Sequence, residues 1–302
     1  MSDKLTRFLF DAYAIRGEVV KLNTAYQGIL SSYDYPPRIA ILLGELMAAT
    51  SLLTATLKFE GEIALQIQSE GLVKYAVING THDQKLRGVA RWDESVSDFP
   101  ENFSDLFKKG VLAITITPTE GERYQGIVGL NNESLAKCLE DYFYQSEQLP
   151  TSVNLFASVD EKNGACASGL LLQVLPTSSE TSQAEDNPDF EHIRTLGNTI
   201  TEEELKTLDE IDVLHRLYHE EKVRLLASSD VVFECDCSKT RSANALRNVA
   251  KAELLNIVAE EGMVKMNCQF CHAEYAFDAV DIENIHADNF QTLAAGDSQS
   301  RH

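Results

Sequence analysis

The residues best equipped for chemistry in this chain are two short cysteine pairs, Cys235-x-Cys237 and Cys268-x-x-Cys271, with thirty residues between them. Zinc takes four thiolates at about 2.3 Å in a tetrahedron, and two close pairs carried in by separate segments can clamp it. The Cys-x-x-Cys pair suits a knuckle turn in which backbone N–H groups donate to sulfur. The Cys-x-Cys pair is less usual in structural zinc sites, and the stretch between the pairs exceeds the common spacing. The pattern predicts one zinc per chain on Cys235, Cys237, Cys268 and Cys271, against the alternative that ordinary core cysteines have clustered. His272, next to Cys271, is a spare donor that a four-cysteine site does not need.

A dithiol that turns over as an oxidoreductase should follow a strand and open a helix. Here Cys271 is followed by Glu274-Tyr275-Ala276-Phe277, which reads as strand, so no enzyme is expected. Reactivity is another matter. Thiolates close to Lys239, Arg241, Lys265 and His272 stay nucleophilic toward oxidants, and pairs this close can form disulfides once the metal has gone. Cys138, on the apolar face of a helix, and Cys166, in the loop Asn163-Gly164-Ala165-Cys166, read as ordinary small residues. His192, His215 and His219 are scattered in an acidic stretch and read as solvated or packing residues. No phosphate-cradling loop, dinucleotide fingerprint, nucleophile elbow or His-Glu-x-x-His helix is present, which argues against an ATP-driven machine.

What must position the cysteines is a chain of 302 residues, 44% hydrophobic, with 47 acidic against 26 basic residues and a net charge of −21. Such a surface repels a phosphate backbone, so nucleic acid is not an expected partner. The start, Met1-Ser2-Asp3-Lys4, lacks a basic-then-apolar leader. The apolar run 39–57 carries Glu45 and follows Pro36-Pro37, a helix start. It therefore reads as a buried core helix and not a membrane span, and a soluble, cytoplasmic protein is expected. In a reducing compartment clustered cysteines point to metal or redox chemistry and away from a disulfide framework.

Three segments and a tail follow from the patterning. Residues 1–176 read as an α+β domain with an antiparallel sheet packed on helices. Its β-like runs are 62–68, 72–78, 111–117 and 123–129, two hairpins, and its helices are 37–57 and one after Asn131-Asn132, burying Leu135, Cys138, Leu139, Tyr142 and Phe143. Residues 177–231, with fourteen acidic and five basic residues, read as an acidic helical linker. Within it Thr201-Glu202-Glu203-Glu204 is a capping box, and Ile211, Leu214, Leu217 and Tyr218 form a stripe on helices too short to hold alone. Residues 232–290 read as a small zinc domain, near the size at which a core alone does not suffice. It should hold one helix over 242–262 and two strands around the second cysteine pair. The tail, 291–302, reads as frayed.

These features together resemble the redox-regulated holdase chaperones, the 33-kDa heat-shock protein family of bacteria. The resemblance rests on Ile15-Arg16-Gly17-Glu18, Leu43-Gly44-Glu45-Leu46, Leu57-Lys58-Phe59-Glu60-Gly61, Tyr124-Gln125-Gly126-Ile127-Val128 and Gln145-Ser146-Glu147-Gln148-Leu149-Pro150-Thr151. It continues through Leu171-Leu172-Gln173-Val174-Leu175-Pro176, Leu214-His215-Arg216-Leu217-Tyr218-His219-Glu220-Glu221, Cys235-Asp236-Cys237-Ser238 and Cys268-Gln269-Phe270-Cys271. Lys239 is a small departure, since the family often has Arg there. The resemblance implies an ATP-independent chaperone that is zinc-bound and inactive when reduced. It implies oxidation to Cys235–Cys237 and Cys268–Cys271 disulfides, zinc release, loss of order in the linker, and a homodimer that holds unfolded client proteins. A constitutive zinc-binding interaction protein with purely structural cysteines is the alternative. Activity that appears only after oxidation separates the two.

Overall fold

The computed structural model describes residues 3–57, 60–160, 164–176 and 187–287. The chain divides into two compact units, Met1–Glu234 and Cys235–His302. In chain order the first unit holds β1 (Lys4–Phe10), β2 (Ile15–Leu22), α1 (Thr24–Leu30), α2 (Pro37–Thr54), β3 (Gly61–Gln68), β4 (Val73–Thr81) and β5 (Lys85–Trp92). Then come β6 (Val111–Pro118), β7 (Tyr124–Gly129), α3 (Leu135–Tyr142), β8 (Thr151–Asp160) and β9 (Gly164–Val174). They are followed by α4 (Pro188–Gly197), α5 (Glu202–Thr207), α6 (Glu210–Tyr218), β10 (Val223–Asp230) and β11 (Val232–Phe233).

The strands form two sheets, β10-β1-β2-β9-β8 and β11-β5-β4-β3-β6-β7. Every pairing is antiparallel except the short β11–β5 contact, so the expected mixed α+β architecture holds, including the hairpins β3–β4 and β6–β7. Between the sheets runs α2, touching β2, β8 and β9 on one side and β3, β4 and β5 on the other. Pro37 at its first turn presets the backbone, and the helix is apolar on nearly every side because it is buried on every side. By length and mean hydropathy, 1.3, it would pass for a membrane span, but 78% of it is buried in the fold. On α3, Ser134 accepts from the Lys137 N–H as N-cap, and Leu135, Cys138, Leu139, Tyr142 and Phe143 are all buried.

The outer face of the first sheet carries a second core. Phe8, Phe10, Ile15, Val19, Leu170, Leu172 and Val174 are covered by Phe190, Ile193, Ile200, Leu205, Val213, Leu214, Leu217 and Tyr218 from the α4–α6 segment. The stretch expected as a separate linker, 177–231, thus packs, from Asn187 onward, as a layer of the first unit. Its last part is the strand β10 and not helix. Its charge disguises this in the sequence, because the carboxylates point outward while the sparse apolar positions complement a sheet face. The Thr201 capping box forms as expected. Ile211 does not join the stripe: it is 60% exposed, and Val213 takes the buried place. Most of the Ser/Thr-rich stretch at 177–189 and all of the tail at 291–302 lie outside the described residues.

The second unit holds α7 (Lys239–Leu246), α8 (Lys251–Glu261), β12 (Val264–Asn267), β13 (Glu274–Phe277) and α9 (Ala279–His286). The single helix expected over 242–262 is two, because the Ala250 backbone is extended (φ −60°, ψ 130°) and breaks the run. Gly262 stops α8 with φ 86°, a left-handed position that favours glycine, and its N–H reaches the Val258 carbonyl at 2.8 Å. The core is small: Ala243, Leu246, Leu254, Val264, Phe277, Ile282 and Ile285 are its buried members.

Candidate metal centre

The second cysteine pair sits on the turn between β12 and β13, an antiparallel hairpin registered from Val264↔Phe277 to Asn267↔Glu274. The Cys268 N–H bonds the Ala273 carbonyl at 2.9 Å and the His272 N–H bonds the Cys268 carbonyl at 2.9 Å, which curls the loop under the sulfurs. His272 takes a left-handed backbone, φ 58°, an uncommon place for a residue with a Cβ. This is the knuckle that the sequence suggests. The first pair lies just before α7, whose N-cap Ser238 accepts from the Arg241 N–H. A capped helix start on one side and a hairpin on the other fix the two pairs.

All four sulfurs come together, every one within 4.8 Å of the others. Cys235 Sγ lies 3.6 Å from Cys268 Sγ and Cys237 Sγ lies 3.3 Å from Cys271 Sγ. A tetrahedral zinc with 2.3 Å bonds separates its sulfurs by about 3.8 Å, so the cluster has the right size for that ion. All six cysteines are free thiols. The electrostatics favour a cation in the middle. Burial pushes the Cys235 and Cys271 thiols up, against the Cys237 and Ala273 backbone N–H groups that donate to them, because a thiolate taken from water without a counter-charge is disfavoured. At Cys268 burial also acts upward, but the Phe270 and Cys271 N–H groups donate to the sulfur and draw the thiol below its usual value. Four soft donors, half-buried and crowded, fit a zinc-type ion well.

One contributor escaped the sequence reading. The Tyr275 hydroxyl donates to Cys237 Sγ at 3.1 Å. The strand alternation from Glu274 to Phe277 puts Tyr275 on one face of the hairpin, but nothing in the sequence shows that the first pair stands over that face. The basic residues expected beside the thiols have other partners as well. Lys239 pairs with Asp281 at 3.0 Å, Lys265 with Glu274 at 3.0 Å, and Arg241 with Asp236. Cys138 and Cys166 stand apart from the cluster and are buried, with thiols raised by burial. Cys166 belongs to β9 and not to a loop, because the strand starts at Gly164.

Comparison with known proteins agrees with this picture. The model of the family described as Hsp33 protein matches residues 3–278. The 33 kDa chaperonin of Pseudoalteromonas atlantica is 59% identical over 288 residues, covering 95% of this chain and 96% of its own. That of Shewanella sediminis is 53% identical over 283 residues, covering 94% and 95%. The crystal structure of the 33 kDa chaperonin (heat shock protein 33 homolog) of Thermotoga maritima superposes with a TM-score of 0.82 at 20% identity, over 96% of this chain and 100% of that one. Its identity is low enough that it speaks for the fold alone. A profile that spans both units, and relatives more than half identical along almost their whole length, place the chain in the Hsp33 family of chaperones.

Proposed function

We propose that the protein is a cytoplasmic, ATP-independent holdase that is switched on by oxidation of Cys235, Cys237, Cys268 and Cys271. The observation that carries this reading is the sulfur cluster itself, four cysteines within 4.8 Å of one another in a unit whose described residues include only seven buried apolar side chains. Zinc, when bound, supplies the divalent charge that keeps four thiolates together, and in small sites such binding is worth about 10–16 kcal/mol of folding free energy. The thiols are the sensor. An oxidant such as peroxide takes two electrons from each pair, Cys235 with Cys237 and Cys268 with Cys271. In each, an S–S bond forms as an O–O bond breaks, and two protons are taken up to leave two waters. A sulfur in a disulfide no longer serves as a thiolate donor, so the small unit loses what holds it folded.

The chain runs from β11 straight into Cys235, so disorder there frees the end of the preceding layer. That layer is marginal: α4, α5 and α6 are 10, 6 and 9 residues long, below the length at which helices stand alone. Its release bares two apolar surfaces, the sheet face around Phe8, Phe10 and Leu172 and the helices' own stripe. Both fit unfolded clients, and a homodimer would hold such a client from two sides. Dense negative charge keeps the complex soluble.

The test is aggregation of an unfolding client with and without peroxide, alongside zinc content and thiol titration. Suppression only after oxidation, with zinc released and four thiols lost, is expected. Equal suppression by reduced protein would mean that the cysteines are structural only. Turnover of a dithiol substrate would mean an oxidoreductase.

A further inference from the structure

The strand that closes the edge of the first sheet is held in an unusual way. β10 pairs with β1 from Lys4↔Asp230 to Phe10↔Val223, and a bulge sets two residues, Leu226 and Ala227, against Arg7 alone. Its side chains contribute little: Leu225 and Leu226 are 43% and 40% exposed, and most of the strand is solvated. What attaches it is the backbone ladder, with a Thr6–Ser228 hydroxyl contact at 2.9 Å and an Arg224–Asp11 pair at 3.3 Å. On its other side β1 pairs with β2 without interruption, and Leu5, Phe8 and Phe10 are buried. The edge strand is loose and the strand beneath it is fixed.

We propose that the β1 edge is a strand-addition site for extended segments of unfolding polypeptides, and that β10 is its intramolecular occupant until the covering layer is released. The inference rests on the release proposed above for residues 188–230. Once β10 leaves, β1 presents a row of unpaired N–H and C=O groups, a template for any extended chain. β10 also shows what the edge takes: a segment such as Leu225-Leu226-Ala227-Ser228-Ser229, uncharged, extended, and recognised with its side chains mostly in water. Binding through the backbone is tolerant of sequence, which suits clients that share only the property of being unfolded. Proline alone should be refused where the ladder needs an N–H.

Pairing alternates along the ladder. The Val231 N–H reaches the Asp3 carbonyl at 3.0 Å, so Ser229, two residues on and opposite Leu5, is again a bonded position. Ser229→Pro should therefore detach β10 without oxidation. The probe is a fluorescent peptide copying residues 223–230, Val-Arg-Leu-Leu-Ala-Ser-Ser-Asp, with a copy in which proline replaces its second and seventh residues as control. Anisotropy should show at least tenfold tighter binding to peroxide-treated protein and to reduced Ser229→Pro than to the reduced parent, and no binding of the control. Hydrogen exchange should show the Lys4–Phe10 amides turned away from β2 opening in both proteins and closing again with peptide. Zinc content and circular dichroism confirm that Ser229→Pro is folded.

Equal binding of the control peptide would overturn the proposal, since a side-chain groove would be responsible. So would β1 amides that stay protected in both proteins, or that close on raising protein concentration without peptide, which would give the edge to a second copy. Aggregation assays on the same samples keep the two ideas apart. Suppression by oxidised protein whose β1 edge never opens sinks strand addition alone. No suppression after oxidation sinks the switch, and the reduced Ser229→Pro arm still decides the edge.

Discussion

If release of the α4–α6 layer is what activates the protein, weakening that layer directly should activate it without oxidant. Leu214 is the place to cut. It is 4% exposed on α6 and packs into the core that joins the layer to the sheet, while the four clustered cysteines lie in the other unit. Truncating a buried leucine to alanine costs about 2–5 kcal/mol, the spread reflecting how far the site collapses. A short helix at the surface relaxes more than a deep core does, so about 2–4 kcal/mol is the reasonable range here. At about 1.4 kcal/mol per factor of ten, the open fraction of the layer rises about 30- to 700-fold. Ile211→Ala is the matched control: same helix, same kind of truncation, but a side chain 60% exposed, and it should change little.

Two measurements on reduced, zinc-loaded protein decide the matter. Hydrogen exchange should show amides of α5 and α6 exchanging faster in Leu214→Ala by that factor, with those of α2 and β3–β6 unchanged because their core is separate. The aggregation assay should show suppression by reduced Leu214→Ala and none by reduced Ile211→Ala. A Leu214→Ala protein whose layer exchanges freely yet remains inactive until oxidised would refute the reasoning. The layer would then be a passenger, and the client surface would lie elsewhere.

Three further outcomes are expected. The double substitution Cys268→Ser, Cys271→Ser should abolish stoichiometric zinc binding, and Cys138→Ser with Cys166→Ser should leave it at one per chain; full zinc occupancy in the first would dismiss the assignment. Thr201→Ala removes one half of the capping box, costs about 1 kcal/mol, and should speed exchange in α5 before any other element. Glu18, 2% exposed on β2, is pushed up to about 7 by burial, against the opposing pull of Arg16 and Arg7. Because its folded value lies above the unfolded 4.5, the carboxyl destabilises the fold progressively as pH rises from 4.5 to 7 and fully above, by about 3 kcal/mol. Glu18→Gln should therefore stabilise the first unit at pH 8 and be nearly neutral at pH 5 in urea unfolding; a pH-independent difference would show that Glu18 is not buried with its charge.

How much of this was legible in the sequence varies with the kind of signal. The four sulfurs were, because two close pairs leave few arrangements that a metal would not explain. The α2 helix and the hairpins were, because Pro37 and the turns at Glu70-Gly71 and 119–122 mark them. β2 and β9 were not. They are central strands covered on both faces, so they lack alternation, and β2 carries Arg16, Glu18 and Lys21 inside a buried run. β10 was missed for the opposite reason. Its side chains are mostly exposed, so no apolar pattern marks it, and only its partner β1 makes it a strand. The Tyr275–Cys237 bond joins residues 38 apart, and no local pattern encodes such a meeting.

The two kinds of stability in the chain suggest why the proposed sensor and the proposed cover are separate. The core around α2 holds dozens of buried side chains and none of the four clustered cysteines, so on the proposed mechanism it should persist through a change at that cluster. The cysteine unit has seven among its described residues, and on the proposed mechanism its fold depends on the sulfurs staying together. Between them in sequence lies a layer with enough apolar residues to cover a sheet face and too little helix to stand without one. A stronger core in the second unit would let it survive oxidation and deafen the switch. A layer of longer helices would stay down after the signal. The short helices and small core thus look like weaknesses only if the folded state is taken as the sole working state. If the protein acts as proposed, by letting part of itself go, they set which part goes first.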